Sequence, residues 1–243
     1  NAYKSRTNDG VEADLALLIK HISFIEGIDR IRYTTSHPID FSDNLINEYK
    51  NFKLANNLHL PIQSGSDKIL SKMKRKHTTL EYKSIIKEVR KIRPDISLTS
   101  DFIVGYPGET DDDFKQTLNL VEELRFDGGY SFIYSPRPGT PAMYEKDNTD
   151  DDVKKERLQT LQQLLKYTNR EYARKILGTE EEILVEGFSV RNKNELFGRT
   201  SANKVVNFSG LPNLIGKFVN VEVTELRSST LRGKFLNLSG HIN

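Results

Sequence analysis

Cysteine is absent from the 243 residues, and that one absence removes several kinds of chemistry. Without thiols the chain forms no disulfides, no zinc–thiolate centres and no iron–sulfur cluster on its own thiolates. No apolar run approaches the roughly 20 residues that cross a bilayer, and the first residues lack the charged-then-apolar order of a secretory signal. These features point to a cytoplasmic protein. An excess of charge of one sign is missing too, since 36 Lys and Arg face 34 Asp and Glu. A balance near zero argues neither for nor against nucleic acid, because a local patch decides that. The first residue is Asn1 rather than methionine, from which we expect a natural N-terminal part to precede this sequence. The length fits one large domain, or a domain and a half, with a sizeable core.

What is present is an alternation of helical and strand-like segments up to Gly178. "EADLALLIKHISFI" has helical periodicity with Asp9 as its cap, and "RIRYTTS" reads as a short strand. "SDNLINEYKNF" reads as helix, "LHLPIQS" as strand, "LEYKSIIKEVRKI" as helix and "SLTSDFIVG" as a strand buried on both faces. "TDDDFKQTLNLVEELR" is a helix with an acidic first turn, "YSFIYS" a strand, and a charged helix from Asp151 to Leu177 closes the series. About four parallel βα units in a row imply an α/β domain, either part of a barrel or an open sheet. Past Gly178, "EEILVEGF", "FGRTSANKVVNF", "KFVNVEVTEL" and "LRGKFLNL" are short strands between turn residues, the pattern of a small all-β barrel. We therefore expect one domain over residues 1–178 and a second over 179–243.

Ligands of parallel α/β proteins gather at the carboxyl ends of strands. Those tips are "TTSHP", "PIQSGSD", "VGYPGET" and "SPRPGTP", each combining hydrogen-bonding side chains with Gly or Pro. Glycine lets backbone amides approach a ligand and proline fixes the turn that holds them. In any single loop the same residues merely end a strand. Four such loops on one side of a sheet imply a composite site for a polar organic ligand.

"TTSHP", "HLPIQSGSD", "MKRKHT", "DFIVGYPGET", "SPRPGTPA" and "ELFGRTSANKVVNF" together resemble the later motifs of the radical SAM methylthiotransferases, in order and over nearly the whole chain. The resemblance implies part of a TIM-like barrel that binds S-adenosylmethionine, followed by a TRAM-like barrel that holds RNA. It implies a tRNA partner at the anticodon stem-loop, where a methylthio group is added to isopentenyladenosine. Relatives that modify a ribosomal-protein aspartate resemble the chain less at "TTSHP" and "SPRPGTPA". Family members carry 4Fe-4S clusters on cysteines that this sequence lacks, so the chain resembles the C-terminal portion of such an enzyme and is expected to be inactive alone.

Residue roles follow from the same resemblance. "DFIVGYPGE" is similar to the superfamily's GxIxGxxE strand, whose apolar residue packs on adenine. Ile103 and Gly105 match it, Asp101 replaces its first glycine, and Glu109 stands one place beyond the expected acid. Gln63 and Ser64 are assigned to the ribose or methionine carboxylate, and Tyr134, Ser135 and Arg137 to adenine or the substrate; capped strand ends and a surface ion pair are their plainer readings. Ser36, His37, Arg75 and His77 are expected on the substrate side. His37 doubles as a structural hydrogen-bonding group, and the run "KMKRKH" as an ordinary solvated face. In the second domain Arg199, Asn203 and Lys204 are expected to meet RNA, with Phe197 and Phe208 either stacking on bases or filling the core. An RNA-binding module without catalysis remains an alternative for this chain, whereas no lysine or carboxylate pair at a tip favours an aldolase or isomerase. A barrel missing strands on one side would expose an unpaired edge, and dimerisation through that edge is expected.

Overall fold

Helix starts follow their caps. In the computed structural model, which describes every residue except 1, 2, 7–9, 11, 35, 36, 137, 146, 148, 228, 229 and 241–243, the chain divides into two compact units. These are Asn1–Leu54 with Leu58–Asn169, and Ala55–Asn57 with Arg170–Asn243.

The first unit opens with β1 (Lys4–Arg6) paired antiparallel with β2 (Glu12–Asp14), the latter falling at the start of the stretch expected as helix. Helix α1 (Leu15–Ser23) begins only after Asp14, whose Oδ1 accepts from Leu17 N at 3.0 Å; the expected cap Asp9 lies outside the described residues. Helix α2 (Asp43–Glu48), strand β3 (Asn57–His59) and helix α3 (Asp67–Lys72) follow. Helix α4 (Thr79–Ile92) is closed at its start by a reciprocal capping box between Thr78 and Glu81. Strand β4 (Ser97–Val104) leads to α5 (Asp111–Leu124), β5 (Gly128–Ile133) and the long α6 (Asp151–Lys175). Helical spacing sets the buried faces: Tyr82, Ile86 and Val89 on α4, and Phe114, Leu120, Val121 and Leu124 on α5. Burying one such side chain stabilises by about 1.5–3 kcal/mol.

The sheet order is β3-β4-β5, with β4 and β5 parallel and paired from Thr99–Gly128 to Val104–Ile133. Three strands rather than four form it among the described residues. "RIRYTTS" supplies only a single parallel bridge, Ile31 to Leu54. Its aromatic residue serves packing instead, with the Tyr33 hydroxyl 2.7 Å from that of Tyr49. Nor is β4 buried on both faces. Leu98, Ser100, Phe102 and Val104 are buried, while Thr99, Asp101 and Ile103 are half-buried on the opposite face.

The second unit is a closed barrel of β6 (Glu180–Phe188), β7 (Leu196–Thr200), β8 (Val205–Phe208), β9 (Phe218–Leu226) and β10 (Leu231–Leu238), in the order β10-β8-β7-β6-β9. Alternation fills it, as in β9, where Val219, Val221 and Val223 point inward between Asn220 and Glu222. Pairing is antiparallel except between β10 and β8, which run parallel.

Candidate functional site

An open cavity of about 800 Å³ lies where β4 and β5 end. It gathers Gln63, Asp101, Ile103, Tyr134 and Ser135 from three neighbouring strand tips, with His37 and Arg75 also on its wall. Gln63 stands in the left-handed region with φ 81°. Its backbone holds it there: Gln63 N donates to Asp101 O at 3.0 Å and its carbonyl accepts from Ile103 N at 2.9 Å. A non-glycine residue in this conformation costs on the order of 1–3 kcal/mol and is characteristic of ligand sites. The Gln63 amide makes no hydrogen bond among the described residues. The Tyr134 hydroxyl is likewise buried without a partner among them, while its ring packs edge-on against Tyr106 at 4.8 Å. Ile103 adds an apolar wall between these polar groups.

His37 caps a short 3-10 turn, Pro38–Asp40, its Nδ1 accepting from Ile39 N at 3.3 Å. Burial lowers its pKa, helped by the Arg75 guanidinium, so the neutral ring that this hydrogen bond requires is favoured. His77 stacks edge-on against it at 5.4 Å. His77 is buried behind the cavity wall with both ring nitrogens unpartnered among the described residues, and burial lowers its pKa as well. Ser36 and Arg137 lie outside the described residues.

Other motif residues brace the loops and do not line the cavity. Ser64 is fully buried, and its hydroxyl accepts from Ser66 N at 3.2 Å. Gly65 is required by contact, because a Cβ there would stand 2.5 Å from the Thr117 Cα and the Gln116 carbonyl oxygen of α5. Gly105, at φ 69°, donates its N–H to Glu109 Oε2 at 2.8 Å. The same carboxylate oxygen accepts from the buried Arg157 of α6 at 2.9 Å. Burial raises the Glu109 pKa, opposed by the Gly105 amide and Arg157. The acid of "GYPGE" is thus an internal tie between the β4 tip and α6.

Sequence reasoning missed His59. Its Nε2 lies 3.5 Å from Asp101 Oδ1 and its Nδ1 3.0 Å from Thr99 Oγ1, so it orients Asp101 from the neighbouring strand. The alternation Leu58, His59, Leu60 was its signal, since it sends His59 to the half-buried face of the sheet. In the barrel, Arg199 is engaged by Glu186 and by Asn203 Oδ1, each at 3.2 Å. Asn203 takes φ 64° in the turn, and Lys204 Nζ sits 4.7 Å above the Tyr172 ring. Phe208 is core and Phe197 is half-buried.

A parallel sheet with a polar cavity at its strand tips, joined to a small closed barrel, agrees with what the chain matches. Residues 7–121 match the Radical SAM superfamily and residues 174–236 the TRAM domain. The chain thus carries a Radical SAM segment followed by a TRAM domain. In particular it is 54% identical, over 97% of its length, to the tRNA-2-methylthio-N(6)-dimethylallyladenosine synthase of Yersinia pseudotuberculosis serotype O:1b (strain IP 31758), covering 50% of that protein. The protein of the same name from Legionella pneumophila (strain Corby) is also 54% identical over 97% of the chain, with 53% of it covered. The chain spans about half the length of the curated relatives it matches. Among solved structures, the radical SAM enzyme coproporphyrinogen III oxidase from Escherichia coli aligns at TM-score 0.49 and 14% identity, over 86% of this chain and 52% of that one.

Proposed function

We propose that this chain is the C-terminal portion of a cytoplasmic tRNA methylthiotransferase that adds a methylthio group to isopentenyladenosine beside the anticodon. The observation that carries the reading is the match along nearly the whole chain to synthases of that name, together with an unsatisfied polar cavity at the strand tips. S-adenosylmethionine fits the residues present. The free Gln63 amide and the orphaned Tyr134 hydroxyl suit its ribose and methionine ends, and Ile103 its adenine. When bound to an intact enzyme, the cofactor would supply the radical and the methyl group, and Gln63, Ile103 and Tyr134 would position it. The 4Fe-4S clusters do not fit, because with no cysteine the chain has no thiolate to hold them. Their ligands would come from the missing N-terminal part of the same protein.

Residues 1–178 would then act as part of the cofactor-binding barrel and 179–243 as the RNA-holding domain. His37, Arg75 and His77 would serve the substrate side, and Arg199, Asn203 and Lys204 the RNA side. Taken alone, the absence of cysteine favours RNA binding without catalysis for this piece. Mass spectrometry of tRNA from cells in which the corresponding gene is disrupted tests the reading. Loss of the 2-methylthio group with isopentenyladenosine retained is expected, and intact modification would overturn it.

A further inference from the structure

The barrel's cations are not equivalent. Arg199 is held by Glu186 and Asn203, Lys204 lies over Tyr172, and Arg232 is paired with Glu195. At the turn joining β6 to β7, by contrast, Arg191 and Lys193 are exposed and make no ion pair or hydrogen bond among the described residues. Two apolar side chains stand beside them. After the register shift between Val185 and Gly187, Phe188 pairs with Leu196 at the end of β6 and stands 48% exposed, and Val190 is 95% exposed. Phe188, Ser189, Val190 and Lys193 line a shallow depression. The turn is built to hold this shape. Ser189 N donates to Glu195 O at 2.8 Å, Glu195 N to Asn192 O at 2.9 Å, and Asn194 N to Asn192 Oδ1 at 3.1 Å.

We propose that this hairpin tip, Phe188 to Lys193, is a contact surface for unpaired RNA, with Arg191 and Lys193 on phosphates and Phe188 stacked on a base. The proposal rests on the RNA-holding role given to the barrel above. Free cations flanking an exposed aromatic on a fixed turn are the combination that binds single-stranded nucleic acid, because every base offers a ring face and each phosphate a charge. A protein partner fits less well. Stable protein interfaces cover roughly 800 Å² on each side, far more than two apolar side chains present.

The test is fluorescence anisotropy of the chain with a labelled RNA stem-loop and with the same stem as a blunt duplex, at several salt concentrations. Arg191→Ala with Lys193→Ala is expected to weaken both complexes and to lower the salt slope by roughly 0.7–0.9 per lost phosphate contact. Phe188→Ala is expected to weaken the stem-loop complex on the order of tenfold, leaving the duplex complex and the salt slope unchanged. Phe188→Trp, with a larger ring, should restore or strengthen it. Wild-type binding that none of these variants alters would overturn the proposal while leaving RNA holding by the barrel intact. No salt-dependent binding by the wild type would overturn both. Loss of stem-loop affinity with equal loss of duplex affinity in Phe188→Ala would also overturn it, since stacking on unpaired bases would then play no part.

Discussion

Asp113 shows how much one side chain can join. Its Oδ1 accepts from Ser66 Oγ at 2.7 Å, and its Oδ2 from Lys68 Nζ at 2.7 Å and Thr110 N at 2.9 Å, tying the tip after β3 to the start of α5. Burial raises its pKa, but the hydrogen bonds from Lys68, Thr110 and Ser66 outweigh this and hold the carboxyl far below the usual range. A depressed folded-state pKa contributes stability above the ordinary value of 3.8, which is lost as pH falls below it toward the folded-state value. Asp113→Asn should therefore cost about 1.5–3 kcal/mol at neutral pH and flatten the acid limb of stability, as read by urea melts at pH 7 and at low pH. Tyr134 should behave in the opposite way. Its hydroxyl has no partner among the described residues, so Tyr134→Phe is expected to leave unliganded stability within about 0.5 kcal/mol while weakening S-adenosylmethionine binding, measured by melts and calorimetry. That Gln63, Asp101, Ile103 and Tyr134 would gather at one cavity was legible because strand tips can be counted in a sequence. The inward bracing of Ser64 and Glu109 was not, because it depends on α5 and α6 packing beside them.

Two capped, amphipathic helices read cleanly. Helices α4 and α5 begin where Thr78 and Thr110 accept backbone hydrogens, and those caps stand in the sequence beside their partners Glu81 and Asp113. Extended segments were harder, since a strand exists only where a neighbour pairs with it. "RIRYTTS" has strand composition and finds a single bridging residue among the described residues, while β2 falls at the start of a stretch with helical periodicity. The pairing state of β5 has a consequence at this scale. Among the described residues it pairs only with β4, and Tyr130 and Phe132 are 66% and 56% exposed along it. Exposed apolar edges attract further strands. Light scattering should show mass rising with concentration, and Phe132→Lys should return the chain to a monomer. A wild type that stays monomeric at high concentration would refute association through this edge.

For the whole molecule, the change of pattern from helix-and-strand alternation to short strands announced two kinds of architecture, because each demands its own periodicity. The number of strands in the sheet was not legible, since pairing across it joins residues far apart in sequence. Composition sets the clearest chemical limit. With no thiolate, anaerobic reconstitution with iron and sulfide should leave the chain without a cluster spectrum, and a stable 4Fe-4S absorbance with stoichiometric iron would contradict the reading of the chain as an incomplete enzyme. The parallel pairing of β10 with β8, Leu231 against Val206, has a further meaning for biogenesis. A parallel partner cannot be reached by a tight hairpin, so the ring stays broken until residues 231–233 have emerged from the ribosome. Until then the nascent chain carries two bare strand margins, at β8 and β9, and the interval between their synthesis and the arrival of the last strand is when this domain is most open to chaperones and to mispairing with neighbouring chains on the same messenger.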